Sequence, residues 1–212
     1  MNTFDHLFLR HADRSSFKPN SWGHNVSITL KGKQASQLIG KKLRSNNLSY
    51  YLWSSPIKRC LETAEAISRG LESTRDVRQS SLLGSPGFFI QNPDKASILF
   101  KEYPLPALID LYLHKKNLPG FLSVEEGCQR MLLTLIEKNN IPSIWVTHDI
   151  CVAILACFLF KRVSCEGFIP DFLEGIVIKK DGNGLLASYK GCSTRIDETL
   201  FKETVVSNRN PA

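Results

Sequence analysis

Residues 7–14 read "LFLRHADR": an apolar run that stops at Leu9 and is followed at once by Arg10, His11, Asp13 and Arg14. A solvated turn would produce that change of character. So would a strand that delivers a catalytic site at its end. Taken alone, the two arginines read as surface residues and His11 as a turn histidine. The choice depends on whether the chain repeats the pattern elsewhere.

It does so twice. "WSSPIKRCLETA" (53–64) leaves the aromatic-rich strand "YYLWSS" (50–55), and the strand "SIWVTHD" (143–149) ends in polar residues. Ahead of the first of these the apolar spacing is helical, with Ala35, Leu38, Ile39 and Leu43 on one face of a helix over 31–45. Pro56 suits the first turn of a second helix, capped by Ser54 or Ser55 and ended by Gly70. Ser123 and Glu126 form a capping box ahead of the helical pattern Val124, Cys128, Met131, Leu132 and Leu135. "ICVAILACFLF" (150–160) reads as a buried helix, too short for the roughly 20 residues that span a bilayer. "EGIVIKK" and "LLASYK" flank "DGNG", a hairpin signature, and the terminal "VVSNRNPA" reads as a frayed tail. Alternating strands and helices predict a three-layer α/β/α sandwich around a mostly parallel sheet.

Residues from about 76 to 122 break this rhythm. They hold Pro86, Pro93, Pro104, Pro106 and Pro119 together with Gly84, Gly87 and Gly120. Helix is expected there only around 94–102 or 105–116. The segment reads as a lid-like insertion within one domain spanning 1–212.

A chain of 212 residues with 42% hydrophobic and 22% charged residues has the composition of an ordinary globular domain. A net charge of +7 favours anionic partners. No lysine or arginine run exceeds a pair, however, and basic and aromatic residues are not interleaved as in single-strand binders. Nucleic acid is therefore not an expected partner, and Lys31, Lys33, Lys41 and Lys42 read as a solvated helix face. No basic n-region precedes the first apolar run, so a cytoplasmic protein without membrane attachment is expected. The six cysteines, Cys60, Cys128, Cys151, Cys157, Cys165 and Cys192, lack CxxC or zinc-site spacing and are expected as buried free thiols.

Ligands of α/β sheets sit beyond the carboxyl ends of the strands. The three strand ends would gather Arg10, His11, Arg14, Arg59, His148 and Asp149 around one spot. Guanidinium forks match phosphate oxygens and keep their charge. They would hold a phosphoryl group and offset charge on its oxygens during transfer. A neutral imidazole can attack phosphorus, and a carboxylic acid can protonate the leaving oxygen and then activate water. No metal or other cofactor is needed, because the arginines supply the positive charge.

These residues resemble the histidine phosphatase superfamily, also called phosphoglycerate mutase-like. "LRHADR" stands where that family has a strand running into Arg-His-Gly, "SSPIKRCLETA" matches its second arginine motif, and "WVTHD" its second histidine. "ITLKGKQASQLIGKKL" and "FLEGIVI" are similar to the helix after the first motif and to the late strand. The resemblance implies His11 as nucleophile, and Arg10, Arg59 and His148 as ligands of the transferred phosphoryl group, with His148 stabilising its charge.

The chain departs from the family in two places. Ala12 replaces the usual glycine, which a negative φ would tolerate. The middle segment "SSLLGSPGFF" lacks the glutamate that serves mutase-like members as proton donor. The acid-phosphatase-like branch instead uses an aspartate directly after the second histidine and an arginine three residues after the first. Asp149 and Arg14 stand in those places, which makes Asp149 the expected acid and base and Arg14 a further phosphate ligand. Glu102, Asp110, Glu125 and Glu126 are the alternative acids. Asp149 also sits where a helix N-cap belongs.

The expected function is hydrolysis of a small phosphomonoester through a phosphohistidine on His11. A mutase, a phosphatase of phosphohistidine or phosphotyrosine proteins, and a non-catalytic phosphate-binding module stand as alternatives. His24, in "NSWGHN", lies in a loop within reach of the site but reads as structural or solvated. Trp22, Phe88 and Phe89 would either shape a pocket for the organic part of a substrate or pack the lid. The substrate's identity and the oligomeric state are not written in any motif.

Overall fold

The computed structural model describes residues 5–16, 23–115, 117–137, 141–182, 184–197 and 200. Trp22, the terminal tail and part of the "DGNG" turn lie outside them. Seven strands form one sheet in the order β3-β2-β4-β1-β5-β6-β7. The strands are β1 (His6–Arg10), β2 (Tyr51–Ser54), β3 (Arg78–Gln79), β4 (Ser143–Thr147), β5 (Gly175–Asp181), β6 (Gly184–Tyr189) and β7 (Cys192–Ile196). The helices are α1 (Leu30–Arg44), α2 (Lys58–Leu71), α3 (Pro93–Glu102), α4 (Leu105–His114), α5 (Val124–Glu137) and α6 (Asp149–Leu159). The sheet is parallel from β3 through β1 and antiparallel from β5 outward. Among the described residues, no helix is long and apolar enough to cross a membrane.

Strand alternation builds the three layers. Phe8 and Trp145 point into a core shared with α4, α5 and α6, whereas Leu9, Leu52, Ile144 and Val146 point into a second core with α1 and α2. On the first face Trp145 stacks on Phe8 (centroids 5.8 Å) and on Trp53 (5.2 Å), each its registered neighbour on the adjoining strand. Same-face aromatic pairs contribute about 0.5–1.5 kcal/mol each beyond burial, and here they bind β1, β4 and β2 in one register. The three strands therefore end level: Arg10 lies beside Thr147, and Ser54 beside Val146. That alignment brings the polar ends of the three sequence motifs to one edge.

The second helix differs from its expected form at both ends. It starts at Lys58 with Ile57 at the cap, and the Ser55 hydroxyl accepts from the Ile57 amide at 3.3 Å while meeting His148 Nε2 at 3.1 Å. It continues past Gly70 to a left-handed Glu72. Gly70 is needed for close helix packing, because a Cβ there would run into the Gln37 carbonyl of α1, and one on Gly40 into the Ile67 carbonyl. At Ser123 half of the expected capping box is seen: its hydroxyl accepts from the Glu126 amide at 3.2 Å, while the Glu126 carboxylate pairs with Arg130. Five cysteines are buried and Cys192 is exposed, all as free thiols.

Within the proline-rich stretch, Arg78 and Gln79 pair with β2 and extend the sheet. α3 and α4 follow, with Asn92 capping α3 through the Lys95 amide. Phe88 and Phe89 are buried and pack the core.

Candidate active site

The loop after β1 is tied to both helices of the second layer. Thr63 of α2 accepts a hydrogen bond from the Ala12 amide (3.0 Å) and donates to the Arg59 carbonyl (2.6 Å). Asp13 accepts from the hydroxyl of Thr29, the N-cap of α1, at 2.8 Å. Asp13 thus anchors the loop. Ala12 is fully buried and has no left-handed φ, so its methyl is accommodated. Thr63 belongs to the "LETA" that follows Arg59 in the sequence.

His11 is 2% exposed. Its Nδ1 lies 2.8 Å from the Ala12 carbonyl, which can only accept, so Nδ1 carries the proton. Nε2 is left with a lone pair, toward which Arg59 Nε donates at 3.0 Å. Burial pushes the imidazole pKa down to about 4, against the pull of the Ala12 carbonyl and helped by Arg59. The ring is therefore neutral at pH 7. His148, 5.8 Å away between ring centroids, meets Arg59 Nη2 at 3.1 Å and the Ser55 hydroxyl at 3.1 Å. Burial, with Arg59 and His11 nearby, holds it well below the usual histidine range. Arg59 also donates to the Gly23 carbonyl at 2.8 Å, so one guanidinium fork joins both histidines to the loop before α1.

Asp149 is the first helical residue of α6, and His148 occupies the cap. One carboxylate oxygen accepts from Arg10 Nη2 at 2.8 Å, and the other from the Ile150 amide at 2.9 Å. Arg10 also donates to the Pro170 carbonyl (2.7 Å) and lies 4.2 Å under the Phe172 ring. Its Nε is buried with no hydrogen-bond partner among the described residues.

These side chains face a cleft of about 490 Å³. His11, Arg14, Arg59, His148 and Asp149 line it, whereas Arg10 stands behind Asp149. The sequence-expected cluster is thus brought together at one sheet edge. The alternative acids are not. Asp110 latches the α6–β5 connection through the Cys165 amide and Ser164 hydroxyl, Glu126 pairs with Arg130 on the surface of α5, and Glu102 interacts with Tyr103. Neither they nor Glu125 line the cleft. Among the described residues, its carboxylates are Asp149 and Asp94. Asp94, in the first turn of α3, was not singled out in the sequence; its signal was the Asn-Pro-Asp helix start. His24 lines the cleft as well, although its loop carries no motif.

The arrangement has the elements for phosphoryl transfer: an unprotonated imidazole nitrogen, guanidinium donors on its flank, a second imidazole and a carboxylate. Known proteins share the fold of this chain. Solved structures sharing the fold include a phosphoserine phosphatase from Entamoeba histolytica (TM-score 0.60, 15% identity, 91% of this chain and 94% of that one). A phosphoglycerate mutase from Bacillus anthracis (0.54, 13%, 91% and 91%) and a mycobacterial glucosyl-3-phosphoglycerate phosphatase (0.55, 14%, 89% and 95%) share it as well. No curated protein sequence matches closely enough to count as a relative. Residues 7–83 match the family model described as histidine phosphatase superfamily (branch 1), and the fold of the whole chain is phosphoglycerate mutase-like.

Proposed function

We propose that the protein hydrolyses phosphomonoesters through a covalent phosphohistidine on His11. The observation that carries this reading is the His11 ring itself: neutral, fixed in one tautomer by Ala12, with Nε2 directed at Arg59 on the cleft wall. In the first step Nε2 attacks phosphorus and the ester oxygen departs with a proton from Asp149. In the second, Asp149 takes a proton from water, which attacks phosphorus and frees His11. Arg14, Arg59 and His148 hold the phosphoryl oxygens. Arg10 anchors Asp149 and brings its buried, unpartnered Nε–H as a further donor. Residues 76–122 supply the wall over the cleft within a single domain, and the reaction belongs in the cytoplasm.

The test is phosphate release from p-nitrophenyl phosphate and from a panel of phosphometabolites. Wild type is expected to exceed His11→Ala by at least about 10³-fold, the scale of losing a covalent nucleophile. Equal rates would overturn the mechanism. Isomerised product in place of free phosphate would indicate a mutase.

A further inference from the structure

The cleft is divided chemically. Its charged side is the cluster of His11, Arg14, Arg59 and His148, whose side chains lie within hydrogen-bond reach of one another or of neighbouring loops. The remaining lining comes largely from α3, the start of α4 and the residues flanking α2 and α6. It is dominated by Ile57, Ile90, Pro93, Phe100, Leu105 and Ile150. The described residues place no lysine there, and no arginine apart from Arg14 and Arg59. The ionisable group that α3 contributes is the acid Asp94.

A substrate with a second anionic group, a carboxylate or another phosphate, would meet apolar side chains and a carboxylate beyond the phosphoryl site. Among the described residues it would lose its hydration with no lysine or further arginine to meet it, the polar lining there being His24, Ser85, Ser97 and Asp94. An apolar alcohol would gain by burial, and about 490 Å³ is within the range of clefts that enclose a drug-sized ligand. We infer that the α3–α4 wall is a leaving-group subsite for apolar alcohols, so that the substrates are phosphate esters of alkyl or aryl alcohols lacking a second charge. This rests on the phosphatase reading and narrows it to a substrate class. Phe100 is the central contact: it is half-buried, tilted against Phe121 at 6.1 Å, and turned to the cleft from the last turns of α3.

Two ladders test it. The first is kcat/KM for ethyl, butyl and hexyl phosphate, whose leaving groups have similar acidity. The second is calorimetric Kd for the matching alkylphosphonates, which cannot be hydrolysed. Burial of one methylene corresponds to about a fourfold gain, so both ladders should climb roughly 100-fold or more from ethyl to hexyl. Wild type should also prefer hexyl phosphate to phosphoserine and 3-phosphoglycerate. Phe100→Ala and, as a second variant, Leu105→Lys should flatten both ladders relative to wild type. Ladders level within threefold, or a preference for phosphoserine or 3-phosphoglycerate, would overturn the subsite. A steep phosphonate ladder with no phosphate released from any ester would uphold the subsite and overturn the phosphatase reading.

Discussion

His6 and His11 stand at opposite ends of β1, both buried, and in both burial pushes the imidazole pKa down to about 4. At the amino end the surroundings are closed. His6 Nδ1 meets the Ser143 hydroxyl at 2.8 Å, and Trp145 Nε1 donates to the same oxygen at 2.7 Å, beneath the aromatic stack that fixes the strand register. At the carboxyl end His11 is held by a backbone carbonyl on one nitrogen and presents the other to Arg59 and the cleft. Burial alone therefore makes a neutral imidazole at either end. A lone pair aimed at a guanidinium in an open cleft is what distinguishes a site from a core contact.

The sharpest way to break that contrast is to remove the guanidinium. Arg59→Ala should lower kcat/KM for p-nitrophenyl phosphate by about 10²–10³-fold, the scale of one charge-stabilising donor. A loss below tenfold would mean that Arg59 only packs the two histidines. The next effect concerns the proton. Asp149→Asn should slow an alkyl phosphate about 10²-fold or more but p-nitrophenyl phosphate under tenfold, because nitrophenolate leaves without protonation. Equal slowing of both would turn attention to Asp94, the other cleft carboxylate.

The smallest effect belongs to the closed end. His6 has a folded pKa near 4 against 6.5 when unfolded, so between those values the unfolded chain binds more protons. Stability should therefore be complete above about pH 6.5 and fall as pH drops toward 4. From pH 6.5 to 5 the contribution of His6 is on the order of 2 kcal/mol. Urea unfolding at the two pH values should show this loss in wild type and a correspondingly smaller one in His6→Phe, with kcat at pH 7 changed less than twofold. An unchanged pH slope in the variant would remove His6 from the account.

The contrast between the strand's two ends also explains what was legible in the sequence. β1, β2, β4 and α6 announced themselves because their apolar patterns end abruptly in Arg10-His11, Ser54-Ser55 and His148-Asp149. β3 and β7 gave no such signal. Arg78 and Gln79 are both exposed, and Cys192–Ile196 carries mainly polar, exposed residues whose strand form comes from pairing with β6. Gly70 read as a helix terminator because sequence cannot reveal the Gln37 carbonyl packed against it. Asp94 escaped, and His24 was read as structural or solvated, for a similar reason: their place on the cleft is set by how α3 and the loop before α1 lie against it. Arg10 was expected on the phosphoryl group beside His11. In the structure it pairs with Asp149 and lies against the Phe172 ring, with Nε left without a partner among the described residues.

The most direct measurement of the central claim is the chemistry of the trapped enzyme. Protein mixed with excess p-nitrophenyl phosphate and quenched within milliseconds in base should carry a phosphoryl group that survives alkali and is lost in acid. Fragmentation should locate it on His11, in the peptide containing Leu7–Arg14, and His11→Ala should carry none. Turnover by the wild type with no such adduct, and with undiminished rate in His11→Ala, would contradict the account.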